Sequence, residues 1–139
     1  SGAVGVTMMT PKEEMLSSKQ KMESNIMMKY AGRAAEELLL GIEHITNGAS
    51  QDIKDATMDI KRMVEMFGMG NLGMLNMDVI TGGYSKGVNI DEFKNISNDL
   101  YNRTLNYLKD NRDKLDLLAG ELIKKETLGD EDINKLLEG

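Results

Sequence analysis

The chain has 139 residues, of which 40% are hydrophobic, and a formal net charge of -6. This length fits one domain over residues 1–139 with a moderate core. The negative charge argues against nucleic acid as a partner, because phosphate contacts need a basic patch. Cysteine is absent from the sequence, which excludes disulfides and thiolate metal sites. Because no run of about 18 apolar residues is present, we expect no membrane segment here and a soluble chain.

The N-terminal residues 3–9 alternate small and apolar side chains and are followed by Thr10 and Pro11. This pattern allows a short edge strand or hairpin near the N-terminus. Residues 11–17 predict a short helix with Thr10 as its N-cap and Pro11 at its first position. Without further elements to pair with, the strand is expected to fray.

A first long helix is predicted from about Ser18 to Leu40, because core-type residues recur there at helical spacing. We expect Gly41 to end it. The small residues at positions 31, 32, 34 and 35 would let another helix or strand approach closely. The recurring residues are Met22, Ile26, Met27, Tyr30, Ala34 and Leu38.

A second long helix is predicted after a short polar turn, with Ser50 as its N-cap and Gly68 as its C-terminal stop. Its core-type residues are Ile53, Ala56, Thr57, Ile60, Met63, Val64 and Phe67. Asp52 then lies in the first turn of this helix, and Glu36 lies near the end of the previous one. This placement allows the two helices to present both carboxylates to one cavity, but the sequence leaves open whether the face that carries Glu36 lines that cavity or the open surface.

The rest of the chain is also predicted to be mainly helical. Residues 68–89 are rich in glycine and predict an irregular connection, which allows a short strand near residues 74–80. A third helix is predicted from about Ile90, interrupted at Asn111 before a fourth, and Asp130 begins a last short helix. The predicted fold is therefore all-α, a compact bundle of about four to six helices.

Several blocks of the sequence carry a family resemblance. Residues 31–37 read AGRAAEE, and residues 47–52 read NGASQD. They resemble the GGRAAEE and TGASND stretches of the FtsH-type ATP-dependent zinc metalloproteases, at a similar spacing. Further matches are residues 63–64, 67–69, 72–73, 111–115 (NRDKL) and 125–128 (KETL). The resemblance covers nearly the whole chain and indicates the peptidase domain.

The resemblance implies a zinc ion held by two histidines of a His-Glu-x-x-His helix and by one aspartate, with the glutamate as general base. Only the aspartate has a counterpart here, Asp52, because the sequence contains one histidine, His44, and no His-Glu-x-x-His. We therefore expect the C-terminal part of a peptidase domain, cut after its metal helix and inactive alone. A naturally shortened, inactive relative is the alternative.

Each candidate site residue also has a structural interpretation. Asp52 suits the exposed N–H groups and the dipole of a helix N-terminus, but the resemblance makes it the candidate third zinc ligand. Glu36 is a surface charge in one interpretation and, by resemblance, orients a metal-binding histidine through a hydrogen bond in the other. For His44 a loop or capping role is favoured, since a lone imidazole is a weak metal signal.

The resemblance also implies partners and a location. The intact enzyme would be a homo-hexamer on the cytoplasmic face of a membrane, with ATP and magnesium at an upstream motor domain and unfolded or membrane proteins as substrates. Val4, Gly5, Val6 and Thr7 become candidates for pairing with an extended substrate by β-augmentation. The competing interpretation is a non-catalytic helical module for assembly of a ring-forming protein.

Overall fold

The structure is a computed structural model that describes residues 16–83 and 89–125. Within these ranges the chain forms five α-helices and two short 3-10 helices, with no strand. In chain order they are α1 (Lys19–Leu40), η1 (Ile42–His44), η2 (Asn47–Ala49), α2 (Ser50–Glu65), α3 (Met77–Thr81), α4 (Ile90–Asp110) and α5 (Arg112–Lys125). The predicted helical bundle is confirmed. The predicted N-terminal strand and the helix from Asp130 lie outside the described residues.

Helix α1 begins and ends where local chemistry satisfies its free backbone groups. The Ser18 hydroxyl accepts a hydrogen bond from the Lys21 N–H at 3.0 Å, as an N-cap does. At the other end Gly41 adopts φ 90°, which favours glycine, and its N–H donates to the Glu37 carbonyl at 2.9 Å. Both predicted boundaries are confirmed.

The main core lies where α1, α2 and α4 meet. Its buried residues are Ile26, Tyr30, Ala56, Ile60, Met63, Val64 and Leu100. The rings of Tyr30 and Tyr101 meet edge to face with their centroids 5.9 Å apart, a favourable aromatic geometry. This core fixes α2 against α1 and thereby sets the direction in which the loop between them is presented.

A second cluster joins the C-terminal half of α1 to the ends of α4 and α5. Ala34 and Ala35 are completely buried there against Leu108 and Leu115. Small side chains allow this close approach, as predicted for the alanines. Gly32 differs, because a Cβ placed on it would meet no described atom within 4 Å.

The connection between α2 and α4 contains a short helix where the sequence allowed a strand. The Asn76 side chain caps α3 by accepting from the Val79 N–H at 3.1 Å, and Gly82 ends the helix at φ 66°. The expectation of a strand near residues 74–80 is therefore wrong, because a capped apolar segment this short satisfies its own backbone as a helical turn.

A buried carboxylate ties this connection to the bundle. Glu65 at the end of α2 is completely buried, and the Asn89 amide donates to its Oε2 at 3.0 Å. The Lys61 ammonium lies 2.8 Å from Glu65 Oε1 and 3.5 Å from Asp78 Oδ1 on α3. The buried negative charge of Glu65 is thus compensated by the ammonium group of Lys61 on the same helix.

Both predicted boundaries of α2 shift. The helix begins at Ser50 itself, flanked by Ala49, and it ends at Glu65 before Phe67. Gly68 adopts φ 63° in the turn that follows. Across residues 16–83 and 89–125, none of the helices has the length and apolarity that a bilayer crossing requires.

Candidate functional site

Glu36 and Asp52 line one cavity of about 490 Å³, the arrangement that the sequence allows. Glu36 comes from the last turns of α1, and Asp52 comes from the first turn of α2. The loop between the two helices and the facing side of α5 complete the walls. Besides the two carboxylates, the lining residues are Gly32, Arg33, Thr46, Asn47, Gly48, Ala49, Leu118, Glu121 and Leu122.

Glu36 is 2% exposed, so it is not a surface charge. Its Oε1 accepts a hydrogen bond from the Thr46 N–H at 3.2 Å, and its Oε2 accepts one from the Thr46 hydroxyl at 2.6 Å. The Arg33 Nε lies 3.6 Å from Oε1 and supplies the compensating charge. A buried carboxylate held by these groups is fixed in direction.

Thr46 is the residue that the sequence analysis missed. It caps η2, because its hydroxyl accepts from the Gly48 N–H at 3.1 Å. The available sequence signal was a threonine directly before Asn47 and Gly48, which is typical of a side-chain-capped turn. Its contact with Glu36 spans ten residues of chain, so the local pattern does not contain it.

Asp52 is exposed at the cavity and is the acidic residue in the first turn of α2. The start of that helix is held locally, because the Ser50 hydroxyl donates to the Asn47 carbonyl at 2.6 Å. An exposed carboxylate at a helix N-terminus is stabilised by the dipole and still has its oxygens free to accept other partners. The position therefore suits a structural role and a ligand role.

Glu37 and His44 face elsewhere. Glu37 accepts a hydrogen bond from the Tyr101 hydroxyl at 2.8 Å and stabilises the contact between α1 and α4. His44 is exposed in η1 and is not among the residues that line the cavity. The structure therefore places His44 in a loop and separates it from Asp52.

The described side chains do not form a metal centre by themselves. In residues 16–83 and 89–122, no group of three histidine, cysteine, aspartate or glutamate side chains has an arrangement that could hold an ion. Zinc in proteins usually takes three or four nitrogen, sulfur or oxygen ligands. Among the described residues, the cavity thus fits zinc in part, through the carboxylate of Asp52.

Comparison with known proteins decides the family. The family model described as Peptidase family M41 matches residues 1–136. The chain belongs to this peptidase family. The match includes both helices that build the cavity, so Glu36, Thr46 and Asp52 all lie in the part of the M41 chain that the family shares.

Three relatives illustrate the similarity. The M41 chain is 33% identical to an "ATP-dependent zinc metalloprotease FtsH" of Trieres chinensis, over 98% of this chain and 24% of the relative. It is 38% identical to the FtsH of Mesoplasma florum, over 94% of this chain and 22% of the relative. It is 33% identical to FtsH 1 of Alkaliphilus metalliredigens, over 99% of this chain and 24% of the relative. The chain thus spans about a quarter of the length of these relatives.

Proposed function

We propose that this chain forms part of the peptidase domain of an ATP-dependent zinc metalloendopeptidase, in which Asp52 is the third zinc ligand. The observation that carries the proposal is the shared cavity of Asp52 and Glu36, within the residues that match the M41 family. The relatives named above are described as ATP-dependent zinc metalloproteases. The chain alone is proposed to be inactive, since its sequence contains one histidine and zinc peptidases need more ligands.

The proposal gives defined roles to two residues of this chain, Asp52 and Glu36. Asp52 would hold the zinc ion together with ligands from elsewhere in the intact enzyme, and the ion would supply a Lewis acid for the scissile carbonyl and for a water molecule. Asp52 offers a carboxylate oxygen at the open cavity, and the histidine ligands and the general-base glutamate come from a His-Glu-x-x-His helix elsewhere in the intact enzyme. Glu36 keeps lone pairs beyond those used by Thr46 and can accept an N–H from one ligating histidine, which fixes the ring.

The substrates and partners are proposed at the level of the intact enzyme. Unfolded or membrane proteins are the proposed substrates, and Val4, Gly5, Val6 and Thr7, which lie outside the described residues, are the proposed positions for main-chain pairing with them. ATP and magnesium act at a motor domain in the same polypeptide, and a homo-hexamer on the cytoplasmic face of a membrane is the working assembly. The chain's negative charge supports protein rather than nucleic acid as the substrate.

The test is Asp52→Asn in the intact enzyme. An amide is a poor zinc ligand, so proteolysis of casein and zinc content should both fall while ATP hydrolysis persists. Asp55→Asn is the matched control, because Asp55 lies one turn later on α2 and accepts a hydrogen bond from Gln51 instead of lining the cavity. Normal zinc content and proteolysis in Asp52→Asn would refute the proposal.

A second candidate function is a non-catalytic helical module for ring assembly. The observation that favours it is the exposed apolar surface of α3 and the loop before it, where Met74 is 93% exposed and Val79 is 79% exposed. Exposed apolar side chains that cluster are typical of protein contacts. Zinc-dependent proteolysis by the intact polypeptide, lost in Asp52→Asn, would favour the enzyme over this candidate.

A further inference from the structure

The segment between Glu36 and Asp52 contains one residue that links the two carboxylates. We infer that Thr46 is a positioning residue for Asp52. Glu36 and Arg33, which belong to α1, hold Thr46 against that helix, and Thr46 fixes the loop from which α2 starts. This inference rests on the proposed role of Asp52 as a zinc ligand. It assigns Glu36 a task inside this chain in addition to any contact with a histidine.

All three polar groups of Thr46 are bound by α1. Its N–H and its hydroxyl donate to the two oxygens of Glu36, at 3.2 Å and 2.6 Å. Its carbonyl accepts from Arg33 Nη2 at 2.8 Å. A residue held through its N–H, C=O and side chain has little freedom to rotate its backbone, so its position relative to α1 is fixed.

The Arg33 side chain is committed to this arrangement. Its Nε is buried 3.6 Å from Glu36 Oε1 and has no hydrogen-bond partner within the described part of the chain. Its Nη2 bonds the Thr46 carbonyl. A partly buried guanidinium beside one carboxylate and one carbonyl therefore holds the Glu36 carboxylate and the Thr46 carbonyl in place together.

The fixed position of Thr46 is passed on to Asp52 through a short, rigid turn. The Thr46 hydroxyl accepts from the Gly48 N–H at 3.1 Å and so caps η2, which runs directly into α2. The Ser50 hydroxyl closes the same turn by donating to the Asn47 carbonyl at 2.6 Å. Asp52 follows in the first turn of α2, so its direction depends on where η2 is held.

The hydroxyl is the group on which this depends. In Thr46→Val the side chain keeps its shape, but Glu36 Oε2 loses its donor and the Gly48 N–H loses its acceptor. Thr46→Ser keeps both bonds and is the conservative variant. Thr57→Val is the matched control, because Thr57 lies exposed on α2 and its hydroxyl donates only to the Ile53 carbonyl of its own helix, at 2.6 Å.

The experiment measures zinc affinity of the intact peptidase by competition with a chelator, together with thermal unfolding. Loss of a group that orients a ligand typically lowers metal affinity 10- to 100-fold. We expect a decrease of about this size in Thr46→Val, recovery in Thr46→Ser and no change in Thr57→Val. A purely structural role would lower the unfolding temperature without this specific loss of zinc.

Asp52→Asn, measured alongside, separates this inference from the proposed function. If Asp52→Asn lowers zinc affinity and Thr46→Val does not, the positioning role is overturned and the ligand role stands. If Asp52→Asn leaves zinc affinity unchanged, the ligand role fails, and the positioning role fails with it. Should Thr46→Val not fold, Glu36→Gln replaces it, since glutamine has one acceptor oxygen where Glu36 uses two for the N–H and the hydroxyl of Thr46. Normal zinc affinity in Glu36→Gln overturns the inference.

Discussion

The Tyr101 hydroxyl of α4 donates a 2.8 Å hydrogen bond to Glu37 Oε1 of α1. Burial raises the pKa of Tyr101 well above its usual range, and the negative charge of Glu37 raises it further. Glu37 directly follows Glu36 in the sequence, but its side chain faces α4 and not the cavity. Ionisation of Tyr101 would place two negative charges against each other.

This contact predicts how stability depends on pH. A tyrosine of the unfolded chain ionises near pH 10, whereas folded Tyr101 keeps its proton above that value. The folded state therefore binds more protons there, and the free energy of unfolding falls as the pH rises above about 10. Tyr101→Phe should cost about 1 kcal/mol at pH 8, and this difference should shrink as the pH rises.

Urea unfolding at pH 8 and near pH 10.5 measures both effects. Tyr107→Phe is the control, because Tyr107 is exposed. The pKa of Lys61 is raised mainly by its hydrogen bond to Glu65, so Lys61 also makes the free energy of unfolding fall as the pH rises. This contribution of Lys61 is the same in the parent chain and in both tyrosine variants, so it cancels when their free energies of unfolding are subtracted. A constant difference between Tyr101→Phe and the parent chain at both pH values would contradict the prediction.

A second prediction concerns the buried carboxylate of Glu65. Lys61→Met removes the ammonium that lies 2.8 Å from Glu65 Oε1. We expect a loss of about 1 to 3 kcal/mol in the free energy of unfolding, because the buried carboxylate loses the ammonium of Lys61. Lys54→Met is the control, since Lys54 is exposed on the same helix. Equal stabilities of the two variants in urea unfolding would show that the ion pair contributes nothing.

Two glycines predict opposite effects of substitution by alanine. A Cβ on Gly70 would lie 2.7 Å from Glu92 Oε2 and 3.2 Å from the Val64 Cα, so Gly70→Ala should cost about 1 to 3 kcal/mol. A Cβ on Gly32, inside α1, would meet no described atom within 4 Å. Gly32→Ala should therefore stabilise the chain by about 0.5 to 1 kcal/mol. Thermal unfolding of both variants checks the sign, and destabilisation by Gly32→Ala would mean that the site at α1 tolerates no side chain.

A fourth prediction concerns assembly. In the proposed hexamer, part of the driving force comes from the motor ring, so this chain alone should be monomeric or weakly associated at micromolar concentration. Light scattering measures the mass directly. Val79→Glu, which puts a charge on the exposed apolar surface of α3, should reduce any association further. A stable hexamer of the unmodified chain would contradict this expectation.

The helices could be predicted because their signal is local. The periodic apolar residues of α1, the stop at Gly41 and the interruption at Asn111 depend on neighbours in the sequence. The short α3 was missed because periodicity does not separate a strand from a helix in so few residues. The Asn76 cap was the available signal, since asparagine is among the preferred N-cap residues.

The candidate site was predictable only in part. The two carboxylates could be placed on one cavity, because their helices are joined by a short loop. The role of Thr46 depends on a contact across ten residues with a buried glutamate, and such contacts follow from packing. The burial of Glu36 could not be predicted either, because a glutamate near the end of a helix is usually exposed to solvent.

The hydrogen bonds that position Asp52 all lie within residues 33–52. This segment consists of the last turns of α1, the connecting loop and the first turn of α2. Because these bonds are local, residues 33–52 can be tested as a graft in a designed bundle whose other helices cover Ala34 and Ala35 as α4 and α5 do here. Such a graft should present the aspartate at a preset angle to histidines supplied by a third helix. In that design, the acidic ligand proposed here and its imidazole partners would be varied separately.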